Sequence, residues 1–283
     1  MKGNCSPTAE DKDYTCFDDA ALQNMKKLWN KRHPDAAITE NAPEEIWNTL
    51  KNNMSNVCNV ETCWLRQEFM KNETTKPLLA YTFAPFAPKS WNKNPYEWLS
   101  SLDIERVMKQ YEQKYTCFEF LGPSPIDFDE NDTNDNQGEC VWNELCKFNL
   151  LEMVKKGKNK IGIIFNLDPH YKSGSHWVSM FINIKKKFVF YFDSNGDKIP
   201  KQIKEFANRI IEQAKTHPIN EKMILKENHP TEHQKSNTEC GMYSLYFIIC
   251  LLTESKTCED FMNKRIPDSE MKSLRNMYFN HSE

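Results

Sequence analysis

No apolar run in this chain is long enough to cross a bilayer. The longest, Met242 to Leu252, is too short and carries Tyr and Ser. The opening stretch, "MKGNCSPTAEDKDY", lacks the apolar segment of a signal peptide, so the expectation is an intracellular chain that is not secreted. Neither sign of charge dominates. Lys+Arg number 37 against 40 Asp+Glu, a net charge of −3, which gives no basic balance for nucleic acid and no acidic solvating tail. Internal repeats are absent as well. Cysteine is plentiful at 10, but Cys5, Cys16, Cys58 and Cys63 follow no common zinc spacing, and "DFDENDTNDNQGE" (127–139) lacks the ordered ligand pattern of a calcium loop. No metal site is expected, and without a signal peptide the cysteines are expected to be free thiols.

What is present divides in two. Hydrophobic residues make up 39% of 283, enough for one substantial core or for a core with a smaller appendage. Residues 1–15 are polar. Apolar spacing then predicts helices over 18–32 (Ala21, Leu22, Met25, Leu28 and Trp29 inward), over 42–54 (Ile46, Leu50, Met54) and over 63–70. The proline-rich stretch from 76 to 95 reads as an extended connector, and a boundary is placed near residue 88. Beyond it, helices are predicted over 103–115 with Asp103 as cap, over 143–157 ending at Gly157, from Pro200, from Cys240, and over 268–279. Strands are predicted at "KIGIIFNL", "HWVSMFINI" and "KFVFYFD", with a short one at "EKMILKEN". The fold class is therefore α+β: a central, mostly antiparallel or mixed sheet flanked by helices over 89–283, preceded by a helical extension over 1–88.

The stretch "HQKSNTECGMYSLYFIICLL" (233–252) passes abruptly from polar to apolar at Cys240-Gly241. A helix N-terminus favours the reactive thiolate, and Gly241 would let a substrate backbone come close. Gln234 stands six residues earlier, where its amide and the Cys240 N–H could hold an oxyanion. Cys63, in "ETCWLR", has Val57 at that spacing, so it is read as structural. A cysteine nucleophile needs an imidazole base with an orienting partner. His33, His217, His229 and His281 lie in polar, loop-like surroundings, His170 in the loop "DPHYKSGS", and His233 too near Gln234 to assign. His176 begins a strand and Asp193 ends the next, so two neighbouring strands could join them at one end of a sheet.

This order, His176-Trp177, Asp193-Ser194, then Gln234 and Cys240-Gly241, resembles the SUMO-protease and adenovirus-protease group of cysteine peptidases. "WLSSLDIERVMKQY", from Trp98, resembles the opening of the catalytic domain in SUMO proteases. The likeness covers about 98–255. Within the group the 233–248 segment looks most like the polyprotein-processing protease of African swine fever virus and its relatives in other large DNA viruses, whose N-terminal helical region residues 1–88 match more weakly.

The resemblance implies Cys240 as nucleophile, His176 as base, Asp193 as its orienting group and Gln234 as oxyanion donor. It implies that Trp98 and Trp177 wall a tunnel for a Gly-Gly backbone. "WLSSLDI" departs from the family by carrying Ser after Trp-Leu, which touches the tunnel entrance and not the triad. The implied activity is cleavage after glycine at Gly-Gly-X, with no metal or organic cofactor, in viral structural polyproteins, placing the chain in host cytoplasm and virion. A SUMO or ubiquitin-like modifier is the alternative partner, and an inactive binding scaffold the remote one. The chain has no Gly-Gly pair of its own for self-cleavage. The lysine runs at 155–160 and 185–187 are read as solvated turns, and nucleic acid is not an expected partner.

Overall fold

The computed structural model describes residues 2–10, 12–71, 78, 80–131, 139–216 and 218–281. The chain forms two compact units: Met1–Lys89 with Asn276–Glu283, and Ser90–Arg275.

In the first unit, α1 (Asp19–Arg32) starts where Asp18 accepts the Ala21 N–H at 2.6 Å. Its Ala21, Leu22, Met25 and Trp29 are buried, as the spacing predicts, and Leu28 is half-buried. Helix α2 (Pro43–Met54) buries Ile46, Trp47, Leu50 and Met54. The expected third helix over 63–70 does not form. A single turn, α3 (Glu61–Trp64), is followed by a separate 3-10 turn at Glu68–Met70. Cys63 is bonded to Cys58, and the Gln67 amide turns back to donate to the Cys63 carbonyl at 3.3 Å, so the helix cannot run on. In the connector, 76, 77 and 79 lie outside the described residues. Phe83 and Phe86 make single bridges to Cys5 and Asn280, and a 3-10 turn occupies Lys89–Asn92.

The expectation of free thiols is corrected for six cysteines. Cys5–Cys16, Cys58–Cys63 and Cys140–Cys146 are disulfides, with Cα atoms 5.3, 5.6 and 6.4 Å apart. Pairing depends on that spatial approach, which sequence spacing does not carry. Cys117, Cys240, Cys250 and Cys258 are free.

The second unit holds a five-stranded sheet in the order β1-β2-β3-β4-β5. The strands are β1 (Phe118–Pro125), β2 (Lys160–Asn166), β3 (Trp177–Asn183), β4 (Phe188–Phe192) and β5 (Ile224–Glu227). The outer pairs are parallel and the inner pairs antiparallel, which makes the sheet mixed. β2 to β5 fall where the sequence puts them. β1, "FEFLGPSP", is a strand that the sequence analysis does not include, and it contains the turn-type residues Gly122 and Pro123. It is an edge strand, and its register shifts between Leu121 and Ser124 to absorb them.

Helix α4 (Ser101–Lys114) begins one turn earlier than expected. Ser100 is the cap, and Asp103 closes the box from the third position. The predicted 143–157 helix is two, α5 (Asn143–Cys146) and α6 (Leu150–Lys155). Asn149 caps the second. Gln213 of α7 (Lys201–Lys215) accepts from the Leu150 N–H at 2.7 Å and donates to the Phe148 carbonyl at 3.2 Å, satisfying both sides of the break. The Asp-rich loop falls partly outside the described residues, at 132–138.

Both faces of the sheet are covered. Ile161, Ile163 and Phe165 of β2 pack with Ile203, Phe206 and Ile210 of α7. On the other face lies α8 (Cys240–Thr253), buried from Cys240 to Leu252. A helix apolar all round has to be enclosed. Gly162 permits the contact: a Cβ there would stand 2.7 Å from Ile248 Cγ2. Phe247 rests on Phe190 and Phe192. Two further helices, α9 (Cys258–Asn263) and α10 (Asp268–Tyr278), follow, of which only the second was expected. Among the described residues, no helix is long and apolar enough to cross a membrane.

Candidate active site

Antiparallel pairing sets β3 against β4 with Ser179 opposite Phe192. His176 precedes β3 and Asp193 follows β4, so both lie at the same end of the sheet. His176 Nε2 and Asp193 Oδ1 are 2.7 Å apart. Asp193 is buried, and the same oxygen accepts the Asn195 N–H at 2.8 Å. Asn228 fixes the backbone of Asp193 from both sides: its Oδ1 accepts the N–H at 2.9 Å and its Nδ2 donates to the carbonyl at 2.7 Å. Tyr191, two residues earlier on β4, is fully buried. Burial and the charges of Asp193, Asp197 and Glu227 push its pKa up, so it stays protonated.

Cys240 is the first residue of α8 and only 2% exposed. In that position its N–H has no partner within the helix. The Cys240 side chain is the second group that acts on the His176 imidazole, beside Asp193. Burial alone would lower the pKa of His176. The hydrogen bond to Asp193, the influence of the Cys240 thiol and the charges of both outweigh it and raise the pKa from 6.5 to about 10. The site therefore favours imidazolium, the partner that stabilises a thiolate.

Gln234 is buried close by, linked through Ser194. The Ser194 hydroxyl donates to Gln234 Oε1 at 2.8 Å, and the Gln234 N–H donates to the Ser194 carbonyl at 2.9 Å. Its Nε2 donates to the Ser236 carbonyl at 2.5 Å, leaving a second amide hydrogen. His233, left unassigned by sequence, is a buried structural residue. Its Nδ1 accepts the Ile266 N–H at 3.0 Å, which leaves Nε2–H to donate to the Phe261 carbonyl at 2.9 Å.

One dipeptide gathers the remaining predicted residues. Trp98, 44% exposed, donates from its indole to the Asn237 carbonyl at 2.6 Å. Trp177, nearly buried, donates to the Leu99 carbonyl at 3.0 Å. Gly241 faces the Leu99 side chain, where an added Cβ would lie 3.0 Å from Leu99 Cβ. The missing side chain leaves room for this packing leucine.

His170 forms a second dyad, Nδ1 to Asp127 Oδ2 at 2.8 Å, but without a thiol. His33 stacks on Trp29, His229 bonds the Gly196 carbonyl, and His217 lies outside the described residues. Among the described residues, no group of three or more His, Cys, Asp or Glu is arranged for a metal. The lysine runs meet where Lys160 faces Asn183, at the sheet end remote from His176. Glu152, Glu119, Glu254 and Glu221 pair with Lys155, Lys158, Lys160, Lys186 and Lys187.

Sequence reasoning missed the ion pair beside Cys240. Glu239 is 0% and Arg275 3% exposed, with Nε donating to Oε2 at 2.9 Å. The signal was present: Arg275 occupies a core position of α10 among Met271, Leu274 and Tyr278 at helical spacing.

The Ulp1 protease family, C-terminal catalytic domain, matches residues 152–283. R355 of Acanthamoeba polyphaga mimivirus, which carries a thiol-protease name, is 29% identical over 97% of this chain and 92% of its own length. The SUMO-1 cysteine protease S273R of African swine fever virus is 26% identical over 87% of this chain and 91% of its own. The crystal structure of the pS273R protease of African swine fever virus superposes with a TM-score of 0.66 at 20% identity, covering 99% of this chain and 96% of that one, a likeness of fold. Residues 152–283 thus match the Ulp1-type catalytic domain, and along nearly its whole length the chain is similar to thiol proteases of large DNA viruses.

Proposed function

We propose that this thiol protease is an endopeptidase cutting after glycine at Gly-Gly-X, and that it matures viral structural polyproteins in the host cytoplasm and virion. The observation that carries the catalytic assignment is the imidazole of His176, shared between a buried carboxylate and a thiol at a helix start. Cys240 attacks the scissile carbonyl as the thiolate. The oxyanion that forms is met by the Cys240 N–H and the second hydrogen of the Gln234 amide. His176 protonates the leaving amine, then takes a proton from the water that releases the thioester, while Asp193 keeps the ring aligned. Trp98 and Trp177, joined through Leu99 and Asn237, would form flat walls that admit a glycine backbone and exclude a Cβ. None of these steps calls for a metal or organic cofactor. The first 88 residues are assigned an accessory role beside the catalytic domain at 89–283.

A second substrate reading, removal of SUMO or another ubiquitin-like modifier, is favoured by the name carried by the African swine fever virus relatives. Cleavage of Gly-Gly-X peptides should be compared with cleavage of SUMO fusions, using wild type and Cys240→Ala. Efficient cutting of the peptides, absent in the variant, is the expected result. Cutting confined to fusions would transfer the assignment to the modifier, and full activity in Cys240→Ala would reject the nucleophile.

A further inference from the structure

The guanidinium of Arg275 does more than neutralise Glu239. While Nε donates to Glu239 Oε2, one terminal nitrogen donates to the Thr238 carbonyl at 3.2 Å and the other to the Glu97 carbonyl at 2.9 Å. The plane lies on the Trp91 ring, 4.6 Å from its centroid. Glu97 immediately precedes Trp98, and Thr238 and Glu239 immediately precede Cys240. A single planar cation thus joins the two strands of backbone that carry the wall and the nucleophile, and both charges of the pair are withdrawn from water. A buried pair of this kind adds little net stability over apolar packing; its value lies in fixing geometry. Lysine, with one nitrogen, cannot replace a rigid fork that reaches three acceptors.

We propose that Arg275 is a positioning residue that sets the gap between the Trp98 wall and the Cys240 thiol, and so sets the selectivity for glycine before the scissile bond. The proposal rests on the Gly-Gly reading above and names what in the chain enforces it. A tight gap rejects the one additional carbon of alanine; a loosened one also misplaces the thiol.

The test compares kcat/KM for a Gly-Gly-X and a Gly-Ala-X peptide in wild type and Arg275→Lys, with folding checked by thermal melting. Misplacement of the thiol should cost the Gly-Gly peptide about 100-fold. The preference for glycine over alanine should fall by about tenfold, the worth of one methyl group in a tight pocket. An unchanged preference, with activity lost only in proportion to the folded fraction, would overturn the proposal. If Arg275→Lys does not fold, Glu239→Gln with Arg275→Gln removes both charges together, leaves no unpaired ion, and carries the same comparison. A wild type that cuts neither peptide would sink the glycine reading itself. The bridge is then judged by alkylation of Cys240: the rate with a bulky haloacetamide relative to a small one rises in Arg275→Lys if Arg275 sets the gap, and stays constant if it does not.

Discussion

The two units treat the same side chain in opposite ways. Every cysteine of the N-terminal unit is closed into a disulfide, Cys5 with Cys16 and Cys58 with Cys63. In the sheet unit only Cys140 and Cys146 are paired, and four thiols stay free. The first unit is built from short helices and turns, where cross-links tie together segments with little backbone pairing of their own. The second has a sheet buried on both faces and needs no staple through its centre. Freedom alone does not make a thiol reactive. Cys250 and Cys258 are buried as well, and burial pushes the pKa of each upward, with no imidazole beside it. Cys240 differs in its neighbours: a helix start and the imidazole of His176.

The largest expected effect follows from that contrast. Cys240→Ala should lower peptide cleavage by about 10⁶-fold, the scale of losing a nucleophile from a triad. Cys250→Ala and Cys258→Ala should leave the rate per folded molecule unchanged. Burst labelling with iodoacetamide, read by peptide mass, should find Cys240 modified first. If Cys250 is labelled as fast, the neighbours of Cys240 do not set its reactivity.

Asp193 comes next. Asp193→Ala removes the acceptor that aligns the imidazole and should cost about 10³-fold in kcat. Asp193→Asn keeps an oxygen acceptor and should retain far more. The pH profile separates orientation from charge. With His176 raised to about 10, the alkaline limb of cleavage should lie in that region, where the imidazolium proposed to protonate the leaving amine is lost. Asn supplies no negative charge, so in Asp193→Asn this limb should move toward the ordinary histidine value. An unmoved limb would deny the carboxylate its electrostatic part. A smaller loss, about tenfold in kcat, is expected for Ser194→Ala, which frees the Gln234 amide to turn its oxygen toward the oxyanion site.

How far these features could be read in advance depended on their range. The buried strands announce themselves through runs such as "KIGIIFN", and the candidate site through His176, Asp193, Gln234 and Cys240, because strand ends and helix starts have local signatures. β1 was hidden by Gly122 and Pro123, whose turn chemistry is overridden by pairing along an edge. The break at Asn149 carries a cap signal, but the apolar periodicity continues across it. The disulfides join segments whose meeting no local pattern announces, and the helical spacing that marks Arg275 as a core position does not name Glu239 as its partner. The same holds for Gly241, whose opposing Leu99 is far away in sequence.

The smallest effect concerns a histidine outside the proposed triad, and it tests whether buried polar groups of the sheet unit fix the site at a cost in pH range. His233 is 0% exposed and neutral, with an N–H donor engaging one ring nitrogen and a carbonyl the other. Burial lowers its pKa from 6.5. Above 6.5 neither folded nor unfolded chain holds this proton, and stability is intact. Below it the unfolded chain takes up a proton that the folded state refuses. Stability then falls by about 1.4 kcal/mol per pH unit until the folded pKa is reached. Protonation would set an N–H against the Ile266 N–H and pull on the loop that begins with Gln234, so cleavage should decline over the same window. Urea denaturation at pH 7.5 and 5.5, in wild type and His233→Asn, isolates this residue because the other titrating groups cancel in the difference. His233→Asn should be less stable at the higher pH yet lose less on acidification; equal losses in the two proteins would mean that His233 is not what limits the site in acid.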